Sequence, residues 1–210
     1  LGYSQSYTYF TWRNSKEELT RYFTELTEAP GVDYFRPNAW PNTPDILHAA
    51  LQGGQEPVFK SRLVLAATLS ANYGIYGPAY ELMEHLPRMS NGVPAEEYLD
   101  SEKYELRHWN WAPDAGLRPL ITRINEIRRA NEALQDNRGL TFLSIDNDHL
   151  IAYMKQSPDG ANVIVTVVNL DPWNTQTGWL GLDPRELGIE DHQPFQMHDL
   201  LTDQRFVWRG

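Results

Sequence analysis

Apolar residues recur with a helical period at three places along the chain. After Ser15, the residues Leu19, Tyr22, Phe23 and Leu26 fall at i, i+3, i+4 and i+7, a spacing that puts them on one helix face. Glu18, three residues beyond Ser15, completes a capping box, and Pro30 with Gly31 ends the helix. Residues 58–70 carry Val58, Leu63, Leu65, Ala66, Ala67 and Leu69 without a breaker, which predicts a well-buried helix. Residues 117–134 form the clearest helical pattern, with Leu120, Ile121, Ile124 and Ile127 on one side and arginines on the other.

Between these helices the pattern changes to aromatic and β-branched runs. Residues 5–12, 32–36 and 73–76 are read as strands. Strand, helix, strand, helix, strand at this spacing predicts parallel β/α units. Residues 77–115 show little periodicity and are crowded with aromatics, a length that predicts a functional loop. Past Gly139 the strand-like runs 141–145, 150–154 and 163–168 follow, the last two separated by the Pro158-Asp159-Gly160 turn. The expected division is therefore an α/β part at 1–138 and a small antiparallel β-sandwich at 139–210.

Three parallel strands cannot close a barrel that needs about eight. Alone they would leave a long sheet edge unpaired and a large apolar face bare. The fold is then either small and open or the end of a barrel whose remainder lies upstream, and the second reading is preferred. The absence of an initiator methionine fits a start inside a longer polypeptide, and Trp208-Arg209-Gly210 reads as a stop before the final strand of the sandwich.

Composition narrows the chemistry. With a formal charge of −10 and no continuous basic stripe, nucleic acid is not an expected partner. The arginines of residues 118–129 are interleaved with aliphatics as on an ordinary half-buried helix. No window approaches the ~18 apolar residues of a membrane span, and the first residues lack the layout of a secretory signal. The lack of cysteine rules out disulfides and thiolate sites and fits a cytoplasmic setting. His48, His85, His108, His149, His192 and His198 show no metal-ligand spacing, and neither a nucleophile elbow nor a phosphate loop is present, so no cofactor is expected.

The segment Phe35-Arg36-Pro37-Asn38-Ala39-Trp40-Pro41-Asn42-Thr43-Pro44-Asp45 carries more information. Its three prolines stiffen the exit from a strand and deliver Asp45 to the carboxyl edge of the sheet, where parallel β/α proteins keep their sites. The competing reading makes Asp45 the N-cap of a helix beginning at Ile46-Leu47-His48. Trp12, Arg36 and Asn38 stand near strand ends and could line the same pocket, but packing is the better reading for Trp12.

Six runs together resemble one family: Gln5-Ser6-Tyr7-Thr8-Tyr9-Phe10-Thr11-Trp12-Arg13-Asn14, Tyr34-Phe35-Arg36-Pro37-Asn38, Asn42-Thr43-Pro44-Asp45-Ile46-Leu47, Leu63-Val64-Leu65-Ala66-Ala67-Thr68-Leu69-Ser70, Asp100-Ser101-Glu102-Lys103-Tyr104 and Val168-Asn169-Leu170-Asp171-Pro172. They resemble the α-1,4-glucan:maltose-1-phosphate maltosyltransferases. Pro44-Asp45 stands where the wider amylase superfamily usually has His-Asp, and the Ser-Glu-Lys-Tyr run is not general amylase vocabulary.

The resemblance implies that the three strands are the sixth to eighth of a (β/α)8 TIM barrel. It further implies a retaining double displacement between α-maltose 1-phosphate and an α-1,4-glucan, with the nucleophile and general acid lying before Leu1. Asp45 would be the transition-state stabiliser, and Lys103 with Tyr104 would bind the far glucose of the maltosyl unit. A homodimer is a further expectation of the family, and the chain alone is expected to be inactive. Two rivals stand beside this reading: another amylase-type glucan hydrolase or branching enzyme, and a non-catalytic carbohydrate-binding protein.

Overall fold

The computed structural model describes residues 5–101, 106–190 and 192–209. A short strand β1 (Ser6–Tyr7) opens the chain, and a 3-10 turn at Tyr9–Trp12 follows directly. Helix α1 (Lys16–Thr27) starts on the expected capping box: Ser15 accepts from the Glu18 amide, and the Glu18 carboxylate accepts from the Ser15 amide. Leu19 and Phe23 on its stripe are fully buried.

Residues 32–36 do not form the expected strand. Gly31–Tyr34 is a single helical turn, α2, and the strand β2 (Pro37–Ala39) begins three residues later. Only Val32 of that turn is buried, while Tyr34 is exposed, so the aromatic there marks surface. Proline is tolerated as the first residue of a strand, and β2 starts on one.

A short helix α3 (Ala49–Gln52) leads into α4 (Glu56–Leu69), after which β3 (Asn72–Tyr73) completes a sheet of order β1-β2-β3. Both pairings are parallel, Tyr7 lying opposite Asn38 and Ala39 opposite Tyr73. Each edge strand is only two residues long, so the long bare edge expected from the sequence reduces to a short one.

Residues 77–115 hold more order than their sequence suggests. Helix α5 (Gly77–Glu81) precedes an antiparallel hairpin of β4 (Pro87–Ser90) and β5 (Val93–Tyr98). Helix α6 (Arg118–Ala130) follows, close to its predicted position. A second three-stranded sheet, of order β6-β8-β9, is antiparallel: β6 (Leu140–Phe142), β8 (Leu150–Gln156) and β9 (Val163–Asn169). Between β6 and β8, β7 (Ser144–Ile145) pairs with β10 (Leu180–Gly181), and β11 (Phe195–His198) with β12 (Arg205–Trp208) forms a last hairpin.

Helix α4 is buried on nearly every side, as a helix shared by two cores must be. One core gathers Phe10, Leu19, Phe23, Leu65, Ala66 and Leu69 with Ile151, Tyr153 and Val168 of the antiparallel sheet. The other joins Leu51, Phe59, Leu63 and Ala67 to Tyr80, Tyr98, Leu117 and Ile124. Polar ties cross the same seam: Thr68 Oγ1 lies 2.6 Å from Tyr153 Oη, and Lys16 Nζ donates to Ile145 O at 2.9 Å. Burial raises the Tyr153 phenol well above the usual tyrosine range, so it remains a hydrogen-bonding hydroxyl at any ordinary pH.

Candidate active site

Parallel pairing points the carboxyl ends of β1, β2 and β3 in one direction, and the segments that follow β1 and β2 meet there. Between them opens a cleft of about 560 Å³ lined by Tyr7, Tyr9, Trp12, Trp40 and Asp45, among others.

Asp45 sits on the tip of a tight turn. Thr43 N donates to Ile46 O at 3.2 Å and Ile46 N to Thr43 O at 3.3 Å, while Asp45 Oδ1 accepts from Thr43 Oγ1 at 2.8 Å. Both ends of this turn are anchored. Asn42 is fully buried, donates to Tyr98 Oη at 2.7 Å and accepts from Tyr76 N at 2.8 Å. Leu47, also fully buried, donates its amide to Glu96 O at 2.9 Å. An exposed carboxylate on a fixed turn can accept hydroxyl hydrogen bonds without first having to be ordered.

The helix-cap reading of Asp45 does not hold. Helix α3 begins at Ala49, and its cap is His48, whose Nδ1 accepts from Ala50 N at 3.1 Å. That bond leaves Nε2 as the protonated nitrogen of the neutral ring, 3.5 Å from Glu96 Oε1. Burial lowers the His48 pKa and the Glu96 charge opposes it, so the neutral ring is favoured.

Trp12 is not a plain packing residue. It borders the cleft, and its Nε1 donates to Glu96 Oε2 at 2.8 Å. Trp40 stacks on Tyr7 with ring centroids 5.3 Å apart and passes so close to Gly74 that a Cβ there would lie 2.4 Å from its Cζ2. Beneath the cleft, the buried guanidinium of Arg62 donates to Phe10 O at 2.6 Å and Arg13 O at 2.5 Å, which fixes the turn carrying Trp12. Burial depresses the Arg62 pKa to about 10, still high enough to keep the charge.

Arg36 and Asn38 do not line the cleft. Arg36 donates back to Val32 O at 3.2 Å, and Asn38 is buried with its amide on Gln5 Oε1 at 2.5 Å. Lys103 and Tyr104 lie outside the described residues. Ser101 and Leu106, which flank them, line a neighbouring cleft of about 350 Å³ that shares Pro44 with the first. Among the described residues no three His, Cys, Asp or Glu side chains gather closely enough to hold a metal ion. The aromatic crowding of residues 5–12 is the signal for this site, but only Ser6–Tyr7 of it forms a strand, and Tyr9–Trp12 turns into the cleft wall instead.

Residues 142–210 match the family model described as GLGE, C-terminal. The whole chain is 52% identical to the α-1,4-glucan:maltose-1-phosphate maltosyltransferase of Chlorobaculum tepidum and 47% identical to that of Methylacidiphilum infernorum, of whose lengths it covers 32% and 31%. A maltosyltransferase of Streptomyces coelicolor is 49% identical over 99% of the chain and 30% of its own length. Among solved structures, the maltogenic alpha-amylase AmyB from Thermotoga neapolitana superposes on 98% of this chain and 46% of its own, with a TM-score of 0.61 at 14% identity. That likeness places the mixed α/β architecture with its β-rich part among amylase-type folds. The chain thus spans about a third of the curated relatives it matches, and along its entire length it is homologous to the α-1,4-glucan:maltose-1-phosphate maltosyltransferases.

Proposed function

We propose that this chain supplies one wall of the active site of a retaining maltosyltransferase that moves maltosyl units from α-maltose 1-phosphate to the non-reducing end of an α-1,4-glucan with release of phosphate. The observation that carries the reading is the delivery of Asp45 into an aromatic-lined cleft at the carboxyl ends of three parallel strands. In this reading residues 1–138 are strands six to eight of a (β/α)8 barrel with their helices, and residues 139–210 are a β-sandwich. The remainder of the barrel brings the nucleophile and the general acid.

Asp45 then accepts hydrogen bonds from two hydroxyls of the sugar being transferred. These strengthen as positive charge develops on the ring, which favours the oxocarbenium-like transition state over the ground state. A carboxylate suits the task because charge-assisted bonds are about twice as strong as neutral ones. Lys103 and Tyr104 hold the far glucose, the chain alone is inactive, and the enzyme works in the cytoplasm as a homodimer without a cofactor.

The test uses the full-length protein that carries these residues. Asp45→Asn is expected to lower phosphate release from α-maltose 1-phosphate by at least about a hundredfold while leaving the thermal melt unchanged. Retained transfer removes Asp45 from the mechanism. Reducing-sugar release from glycogen without any phosphate release from the donor points instead to a hydrolase.

A further inference from the structure

The structure assigns a second role in the same cleft: we propose that Trp12 is an apolar platform for a pyranose ring next to the one Asp45 holds, and that Glu96 is the positioning residue that sets it. The inference rests on the proposed glucan chemistry and adds the residues that give it chain recognition.

Two sides of the cleft offer different chemistry. Asp45 presents an exposed carboxylate, which can only accept hydrogen bonds. Trp12 presents the reverse. Its one polar atom, Nε1–H, is already taken by Glu96 Oε2 at 2.8 Å, so what the indole can give the cleft is ring surface. Tyr9 stands beside it with ring centroids 5.9 Å apart. A pyranose matches this pair, since its hydroxyls project from the rim while its C–H groups make flat apolar faces. Sites for small polar ligands are built in this way, with apolar walls and a few fixed polar groups.

Glu96 belongs to the hairpin of β4 and β5, far from Trp12 in sequence. Its backbone carbonyl accepts from Leu47 N at 2.9 Å, and its Oε1 lies 3.4 Å from Ala49 N and 3.5 Å from His48 Nε2. A single residue therefore fastens the segment that bears Asp45 to the turn that bears Trp12. The titratable and charged groups recorded around this carboxylate are His48 and, through His48, Arg62 and Glu18. Gln52 Nε2 braces the same place by donating to Ala95 O at 2.9 Å and Leu47 O at 3.1 Å. The hairpin thus fixes the spacing between the carboxylate and the platform.

The experiment measures transfer by the full-length protein, varying α-maltose 1-phosphate and a maltooligosaccharide acceptor in turn. Trp12→Ala and Glu96→Ala are each expected to raise KM for one of the two by about tenfold or more, with kcat changed by less than about threefold. The substrate whose KM moves identifies whether the platform takes a donor or an acceptor ring. Glu96→Gln keeps an acceptor oxygen for the indole and is expected to restore KM to within about threefold of the parent. Trp12→Phe keeps a ring but cannot reach Glu96, and is expected to fall between Trp12→Ala and the parent.

Unchanged KM for both substrates in Trp12→Ala overturns the platform, and unchanged KM in Glu96→Ala overturns the positioning role. Should Trp12→Ala fail to fold, Trp12→Phe and the contrast between Glu96→Ala and Glu96→Gln decide, and equal KM values across those three and the parent refute the proposal. Loss of transfer in Asp45→Asn beside unaltered Trp12 variants sinks this inference alone, whereas full transfer in Asp45→Asn sinks the glucan reading beneath it.

Discussion

Lys155 gives the most exacting test of the fold. It lies on the central strand β8, fully buried, and its ammonium donates to the backbone carbonyl of Asp136. Burial depresses its pKa to about 8, with the nearby Arg128 charge pushing in the same direction and Asp136 opposing. Because the folded pKa lies below the unfolded value of 10.5, the unfolded chain binds more protons between about pH 8 and 10.5. Stability therefore rises with pH across that window. Below about pH 8 the lysine is charged in both states, and burying that charge costs about 3 kcal/mol at 1.36 kcal/mol per pH unit. From about pH 7 to about pH 10 the recoverable part is about 2–3 kcal/mol.

The buried tyrosines Tyr80, Tyr98 and Tyr153 and the half-buried Tyr73 act in the opposite sense above about pH 10, because burial raises their pKa values and the unfolded chain ionises first. A Lys155→Met variant shares those tyrosines, so its difference from the parent isolates the lysine. Urea unfolding of both proteins at a series of pH values is expected to show the parent gaining about 2–3 kcal/mol on the variant between about pH 7 and 10. A difference flat to within about 0.5 kcal/mol would mean that the ammonium keeps its solvation in the folded state, and the reasoning from burial would fail.

Two further substitutions test what holds the cleft. Gly74→Ala places a methyl against a rigid indole and is expected to push Trp40 off Tyr7 and cost about 1–3 kcal/mol in chemical denaturation, with a weakened Tyr–Trp exciton signal in circular dichroism. For Arg62→Met the lost bonds to Phe10 O and Arg13 O, at about 1.5–3 kcal/mol each, outweigh relief of a buried charge worth about 3 kcal/mol. The guanidinium also stacks 3.8 Å from the Phe10 ring centroid, so a net loss of about 2–4 kcal/mol is expected in the same assay, and an unchanged midpoint refutes it.

What could be read from the sequence was set by how local the determining interaction is. Helices α1 and α6 were legible because their stripes and, for α1, the Ser15–Glu18 box act within a few residues. The carboxyl-edge position of Asp45 followed from prolines that stiffen the backbone wherever they occur. Residues 5–12 depart from the expected strand because aromatic and β-branched side chains signal a strand only when nothing else competes. Here Thr8 accepts from Phe10 N, and Arg62, some fifty residues on, draws in Phe10 O and Arg13 O. The strand stops at Tyr7 and the chain coils into a 3-10 turn.

That turn is what converts Trp12 from strand packing into a wall of the cleft, and its direction is then fixed by Glu96, 84 residues away. Neither partner leaves a mark near position 12. The hidden part of the site is therefore the part assembled by long-range charge: a guanidinium beneath the turn that holds two backbone carbonyls, and a carboxylate beside it that holds the indole. Charged residues so engaged look like ordinary surface charges in a one-dimensional reading, since helix α4 would be equally helical with Arg62 exposed. If the proposed sugar platform holds, swapping the hairpin of β4 and β5 between related full-length proteins is expected to change their preference among glucan acceptors without altering the turn that carries Asp45. The measure is the ratio of acceptor KM values for short and long glucans, and a ratio that follows the Asp45 turn instead of the hairpin would place recognition elsewhere.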